Sequence, residues 1–342
     1  MKYIGMDVHA VSTTFCIFDP DAPPRRQYQT LTRPTERAAL EAVLEPYAGA
    51  CAVVYEVGPQ AQWLAAIIRP LAKTMVVANP SRMPWLFRDG RKNDQIDARK
   101  LVTLLYLQQV PTVHLPSAEV SAWRALINNR RTIVRRRTMV KNQLRGVLRA
   151  YALRCPEKSC WTHRGRRWLE TLDIDPARNF LMRQLLDEVD YHDTQLKRIE
   201  QELARIAAQQ PAVALLQSIP GVGPRTAEAI VAFADDVRRF GNRKQFASYF
   251  GMVPKLDASG GRERLGHITK RGPSVVRWLL GESAHIVIRR NPQLRAYFEQ
   301  VRRGDKQRTR KAIIATARKL LSIAFAMMRA GRPYDPARVR AA

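Results

Sequence analysis

Residues 2–8 read KYIGMDV, residues 51–57 read CAVVYEV and residues 93–97 read NDQID. The first two stretches are short and mostly apolar, which predicts strands, and each carries an acid close to its end. These acids are Asp7 and Glu56. Asp94 and Asp97 are three residues apart, so they share one face of the helix predicted over 93–107. Four carboxylates therefore fall at the ends of regular elements.

The rest of the N-terminal region alternates strands and helices around these stretches. Further strands are predicted over 13–18, 27–31 and 74–78, and helices over 35–47 and 60–71. Strands first, followed by alternating helices and strands, indicate a mixed α/β sheet with helices on its faces.

An acid at the end of an apolar strand is costly unless something offsets its charge. Each acid alone is more simply a helix cap or an ion-pair partner, and Asp94 could cap its own helix. As a set of four on a strand-helix pattern, they favour a metal site instead. Mg²⁺ prefers such oxygen ligands, and two ions ~3.5–4 Å apart support phosphoryl transfer.

Three blocks, YIGMDVH, VVYEVGPQ and RKNDQIDARKL, resemble the motifs of the RuvC-like, DEDD-type transposases of bacterial insertion sequences. The resemblance implies an RNase H-like (RuvC-like) N-terminal domain whose acidic tetrad binds Mg²⁺ and is catalytic. The positions that match the tetrad are Asp7, Glu56, Asp94 and Asp97.

The chain has 58 Lys and Arg against 30 Asp and Glu, a formal net charge of +28. This surplus predicts a polyanionic partner. The longest apolar runs are too short to cross a membrane, and four Cys form no disulfide framework, so a reduced, cytoplasmic protein with no membrane partner is expected. Nucleic acid is then the expected partner. Residues 121–170 and 259–320 each have a net charge of +12, so the basic surfaces are expected in these two stretches.

The middle of the chain predicts two long helices. The helix over 118–153 carries a dense basic surface that could follow a phosphate backbone or be a solvated face. Its predicted nucleic-acid-binding residues are Arg130, Arg131, Arg135, Arg136, Arg137 and Lys141. The helix within 180–209 has a heptad seam typical of a coiled coil, which could pair with another subunit or fold back on the basic helix.

The C-terminal part begins with a helix-hairpin-helix pattern over 215–230, whose Gly221 and Gly223 could bring backbone amides to a phosphate. A tight turn between core helices is the alternative. Residues 257–261, DASGG, predict an exposed, flexible loop. Residues 251–280 resemble the C-terminal transposase domain of the same family, which implies Ser259 as the nucleophile. Arg262, Lys270 and Arg271 add nucleic-acid contacts, and Ser274 is expected to cap a helix.

Together these features predict three regions: a RuvC-like domain over 1–115, a basic and coiled-coil region over 116–212, and a mostly helical transposase domain over 213–342. The resemblance implies a recombinase that cleaves and rejoins DNA at element ends and targets through a phosphoserine link. It further implies a noncoding bridge RNA as guide and a dimer or tetramer. The alternatives are a RuvC-like Mg²⁺-dependent nuclease that activates water and a noncatalytic nucleic-acid-binding protein.

Overall fold

The computed structural model describes residues 1–83, 93–259 and 262–338, with only the backbone of 257–259 and 262–265. The chain forms two compact units, Met1–Ser121 and Ala122–Ala342. The predicted separation of 116–212 from 213–342 stays a prediction. In the described part of the chain, no helix combines the length and apolar character needed to span a membrane.

A five-stranded mixed sheet forms the centre of the first unit. Its strands are β1 (Lys2–Val8), β2 (Ser12–Phe18), β3 (Tyr28–Pro34), β4 (Cys51–Glu56) and β5 (Thr74–Ala78). They lie in the order β3-β2-β1-β4-β5. The first three pair antiparallel, whereas β1, β4 and β5 run parallel. The mixed sheet predicted from the alternation of elements is confirmed.

Helices cover both faces of this sheet. They are α1 (Arg37–Leu44), α2 (Ala61–Leu71) and α3 (Asp94–Tyr106). Ile4, Met6 and Tyr55 form one buried cluster with side chains of α1 and α2. Ala52 and Val54 face the opposite way and pack with Leu101 and neighbouring residues of α3. Because strand side chains alternate, Asp7 and Glu56 belong to the α3 face.

The second unit is mainly helical. Its helices are α4 (Ala118–Ala150, which begins in the first unit), α5 (His163–Thr171), α6 (Pro176–Ala208), α7 (Pro211–Gln217), α8 (Pro224–Ala234), α9 (Arg243–Tyr249), α10 (Ser274–Arg290), α11 (Pro292–Arg302) and α12 (Thr309–Ala330). A two-stranded hairpin is added by β6 (Pro254–Ser259) and β7 (Arg262–Ile268).

The heptad seam of α6 is used within the chain. Val189 packs with Val140 and Leu144 of α4, and Leu203 shares a cluster with Ile133 of α4. Later residues of α6 meet earlier residues of α4, so the two helices run antiparallel. Of the two alternatives open from sequence, the structure has the seam folded back on the basic helix.

The predicted helix-hairpin-helix is present as α7, a short turn and α8. Gly221 in this turn has φ +98°, a region that side chains rarely adopt, and an added Cβ would lie 2.9 Å from the Val287 backbone. Gly223 is the N-cap of α8, and Pro224 is its first residue. Glycine is therefore required at 221 both by conformation and by the close approach of α10.

Two local predictions in the C-terminal part are wrong. Residues 257–259 lie in strand β6 rather than in a flexible loop, while 260–261 fall outside the described residues. Ser274 does not cap α10, because Pro273 is the N-cap and no side chain caps the helix. The Ser274 hydroxyl instead accepts a hydrogen bond from Arg131 Nη1 at 2.7 Å.

Candidate active site

The register of the parallel strands brings Asp7 and Glu56 side by side. Met6 of β1 pairs with Tyr55 of β4, and each acid is the next residue along its strand. Neighbouring parallel strands end at the same edge of a sheet. The carboxyl ends of β1 and β4 therefore carry two acids on the face covered by α3.

A glycine lets α3 lie close to this edge. A Cβ added at Gly5 would lie 2.3 Å from the carbonyl oxygen of Ala98 and 2.9 Å from the amide nitrogen of Val102. The backbone of α3 thus rests directly on β1. Its first turn holds Asp94 and Asp97, and the Asn93 side chain caps it by accepting from the Gln95 amide. Asn93, not Asp94, is the cap, which leaves both aspartates available to the site.

His9 completes a three-residue cluster with two of the predicted acids. Its Nε2 lies 3.4 Å from Asp7 Oδ2 and 3.5 Å from Asp94 Oδ1. One ligand atom from each of Asp7, His9 and Asp94 lies within 4.8 Å of the others, close enough to hold one metal ion. His9 is not among the site residues predicted from sequence. His9 lies one residue beyond the end of β1, so strand alternation gives no signal for it, and the turn after β1 sets its position.

The electrostatics of this cluster suit a cation. Burial raises the pKa of Asp7, and the negative charges of Asp94 and Asp97 raise it further, whereas His9 opposes the shift. Asp97 is buried, with Lys100 Nζ 3.7 Å from its Oδ1. A divalent cation binds oxygen ligands, and it offsets the repulsion between carboxylates that lie close together in a partly buried site. The donor set therefore fits the metal expected from the sequence.

Ser259 is the last residue of β6. In the hairpin register it pairs with Arg262, the first residue of β7, and Asp257 pairs with Arg264. Lys270 and Arg271 follow β7 and are exposed, and Lys270 has φ +55°. Ser259 thus lies at the end of a two-stranded ribbon with basic residues beside it in register and along the chain.

The six basic residues predicted on α4 divide into different environments. Arg130 Nε donates to Glu200 at 2.7 Å and Arg137 Nη1 donates to Asp193 at 2.5 Å, both on α6. Lys141 Nζ lies 4.3 Å from the centre of the Trp161 ring. The other three lie elsewhere on the helix, Arg131 against Ser274 and Trp278, and Arg135 and Arg136 exposed.

Two family models match this chain. The model of DEDD transposases of IS110 elements matches residues 4–153, and that of the transposase IS116/IS110/IS902 family matches residues 213–299. The first match spans the sheet and its acids, and the second spans the helix-hairpin-helix and the β6–β7 hairpin.

Individual relatives agree with these matches. A probable family 20 transposase of Pseudomonas aeruginosa is 31% identical over 70% of this chain and 72% of its own length. The transposase for insertion sequence element IS1111A of Coxiella burnetii is 26% identical over 89% of this chain and 84% of its own. The transposase for insertion sequence element IS1328 of Yersinia enterocolitica is 25% identical over 83% of this chain and 86% of its own length.

A mixed sheet with carboxylates at one edge, in a chain whose second unit is basic, fits an enzyme that acts on nucleic acid. The chain belongs to the IS110/IS116 family of DEDD transposases. It is thus a transposase of an insertion sequence, and DNA is what it acts on.

Proposed function

We propose that this transposase cleaves and rejoins DNA strands through a phosphoserine intermediate formed by Ser259, with Mg²⁺ held by Asp7, Glu56, Asp94 and Asp97. The observation that carries the proposal is the convergence of β1, β4 and the first turn of α3 at one edge of the mixed sheet, where Asp7 and Asp94 form a cluster with His9. His9 joins them as a further ligand or as the residue that orients Asp7 and Asp94.

Divalent ions bound here would polarise a phosphate and stabilise the charge that develops during transfer. The protein's own part is to hold the acids in place before the substrate arrives. The β1–β4 register fixes Asp7 and Glu56, while Gly5 and the Asn93 cap fix Asp94 and Asp97. Preorganised charge of this kind costs no rearrangement during the reaction.

The covalent step is a transfer of the phosphodiester. Ser259 Oγ loses its proton and forms a bond to phosphorus, while the bond from phosphorus to one sugar oxygen breaks and leaves a free hydroxyl on that strand. Rejoining is the reverse step with the hydroxyl of a different strand, which releases Ser259. The number of ester bonds is unchanged, so no nucleotide triphosphate is consumed.

The basic residues are proposed to hold the nucleic acids that take part. Arg131, Arg135 and Arg136 of α4, together with Arg262, Lys270 and Arg271 near the hairpin, provide phosphate contacts. Gly221 and Gly223 allow the α8 amides to approach a phosphate. A noncoding bridge RNA is the proposed guide, and a homodimer or homotetramer the proposed assembly.

The test is a search for a covalent protein–DNA adduct that survives SDS. Purified protein is mixed with DNA from its element's junction, the element's noncoding RNA and Mg²⁺. We expect an adduct with the wild type and none with Ser259→Ala or Asp97→Asn. Ser274→Ala is the matched control, because it removes another hydroxyl of the same unit and should keep the adduct.

Two results would contradict this chemistry. Strand cleavage without an adduct, equally fast in Ser259→Ala, would establish a hydrolytic RuvC-like nuclease that uses water. An adduct retained in Ser259→Ala but lost in Ser274→Ala would move the nucleophile to Ser274.

A further inference from the structure

We propose that the groove between α4 and α10 binds an unpaired strand of nucleic acid, with its bases against Trp278 and its phosphates on Arg131 and Arg135. The inference rests on the proposed function, because it requires that the chain binds nucleic acid. It adds the place of binding and the unpaired form of the bound strand. The groove has a volume of about 790 Å³ and lies wholly within the second unit.

The charge of the groove is positive and is not matched by acids. Arg131 and Arg135 line it, and none of its described lining side chains is acidic. On another side of the same helix, Arg130 and Arg137 are paired with Glu200 and Asp193. Arg131, by contrast, donates to the neutral hydroxyl of Ser274. Helix α4 therefore presents uncompensated cations along the groove, where a polyanion would lie.

The walls of the groove are shaped for bases as well as phosphates. Trp278 is half-buried and packs against the core of the second unit, which holds its ring in place. The Arg131 guanidinium lies 5.8 Å from the centre of that ring, and Met139, 55% exposed, is on the α4 side. Bases of unpaired strands stack on aromatic rings and on guanidinium groups.

These features favour an unpaired strand over a duplex. In a duplex the base faces are stacked on each other and only phosphates, sugars and base edges are offered. Trp278 and the exposed Met139 would then contribute little to the affinity for nucleic acid. Asn142 and Gln143 also line the groove, and each carries both donors and acceptors. They can bond the pairing edges of bases, which only an unpaired strand presents.

The experiment measures binding of the full-length protein to three labelled probes by fluorescence anisotropy. The probes are a short single-stranded DNA, the RNA of the same sequence, and the DNA duplex, all in EDTA so that no strand is cut. We expect Trp278→Ala to weaken binding of a single strand about tenfold, in the range of base–aromatic stacking. Duplex binding should change less than about twofold, since most of that affinity comes from phosphate contacts.

Two further variants guard against a folding defect at Trp278. Met139→Glu and Arg135→Gln alter exposed groove residues and should also weaken single-strand binding. Arg183→Gln is the matched control, because it removes one charge from an exposed arginine of α6 and should change neither single-strand nor duplex affinity beyond the wild-type scatter. The DNA and RNA arms determine which sugar the groove prefers.

The proposal is overturned if the groove variants bind single strands as the wild type does, or lose single-strand and duplex binding equally. It is also overturned if Met139→Glu abolishes self-association while leaving oligonucleotide binding intact, since the groove would then hold a second copy of the chain. The covalent-adduct assay distinguishes failure of this proposal from failure of the proposed function. Adduct formation tests the role of Ser259, and it is measured for the groove variants separately from Ser259→Ala.

Discussion

The surroundings of Asp7 disfavour the charged form of its carboxyl group. Its side chain is only 19% exposed, and both burial and the charges of Asp94 and Asp97 raise its pKa. Such a carboxylate is useful for holding a cation and unfavourable for the metal-free fold. The metal binding proposed for Asp7 and the stability of the metal-free fold therefore make opposite demands on this residue.

Asp7→Asn should separate the two effects. Without the charge, the metal-free protein should melt roughly 2–4 °C higher, because a partly buried repulsive charge is removed. The increase in melting temperature on adding Mg²⁺ should disappear, and strand cleavage with it. The measurement is thermal unfolding with and without Mg²⁺.

Asp21→Asn is the control for this prediction. Asp21 is an exposed aspartate of the same unit, so both its melting temperature and its response to Mg²⁺ should match the wild type. A lower melting temperature for metal-free Asp7→Asn would contradict the view that the acids repel one another.

Glu228 is a second buried acid, in the core of the other unit. Glu228 lies on α8 and is fully buried. Arg225 Nη1 lies 3.1 Å from its Oε2. In the described part of the chain, neither of its carboxylate oxygens receives a hydrogen bond. Burial raises the pKa of Glu228 to about 7, against the opposing charges of Arg225 and Arg130 and with a small contribution from Glu200.

This shift predicts a pH-dependent stability. Between pH 4.5 and 7 the folded chain keeps a proton that the unfolded chain has lost, so this carboxyl lowers the free energy of unfolding as pH rises through that window. Glu228→Gln cannot titrate. Relative to wild type, it should gain up to about 3 kcal/mol between pH 4 and pH 8. Denaturant unfolding of both proteins at several pH values measures this.

Glu202→Gln should behave in the opposite direction. The Glu202 side chain is 43% exposed on α6, and its hydrogen bond with Arg205 lowers its pKa. Its contribution is present at neutral pH and lost as pH falls below the range of an ordinary glutamate, so this variant should lose stability relative to wild type as pH rises. A Glu228→Gln difference that does not vary with pH would mean that Glu228 ionises as freely as in the unfolded chain.

At the scale of elements, the contact between α3 and β1 positions half of the acidic site. Gly5→Ala would place a Cβ 2.3 Å from the Ala98 carbonyl oxygen, which is part of a helix backbone and cannot simply rotate away. Either the protein loses ~1–3 kcal/mol through overpacking or α3 shifts outward. We expect both lower stability and weaker binding of Mn²⁺, used as a spectroscopic substitute for Mg²⁺.

Gly146→Ala is the matched control. An added Cβ at Gly146 meets nothing within 4 Å, and the residue lies in helix α4. Alanine should stabilise the helix by ~0.5–1 kcal/mol and leave metal binding unchanged. A Gly5→Ala protein with normal stability and normal Mn²⁺ binding would show that α3 does not set the geometry of the acids.

Elements with strong apolar periodicity could be predicted from sequence. The long helix predicted to begin at residue 118 begins at Ala118, and the strand predicted over 74–78 has those bounds. The β6–β7 hairpin could not be predicted in this way, because Leu256 is 59% exposed and the strands lack an alternating apolar face. Their pairing depends on backbone hydrogen bonds, and the only sequence signal was Gly260-Gly261 between two short runs.

The site was predictable to a different degree. Asp7, Glu56, Asp94 and Asp97 stand out by their position at element ends. His9 does not, because its approach to Asp94 depends on the turn after β1, where the His9 amide bonds the Ser12 carbonyl at 2.9 Å. The division of the basic residues of α4 also needed the structure, since it depends on where α6 places Glu200 and Asp193.

At the scale of the whole molecule, the two units have different compositions and different cores. The first contains the sheet and the acids, and the second contains the helical core from Trp123 to Met327. All Lys and Arg residues of the basic stretches over 121–170 and 259–320 fall in the second unit. The four acids and the two most basic stretches are thus separated along the chain.

Helix α4 also sets a length. From Arg131 to Arg149 the axial rise is ~27 Å, since an α-helix advances 1.5 Å per residue. B-form duplex advances 3.4 Å per step, so the same distance corresponds to about eight base pairs. A duplex that followed the helix over this stretch would therefore have a footprint of about eight base pairs.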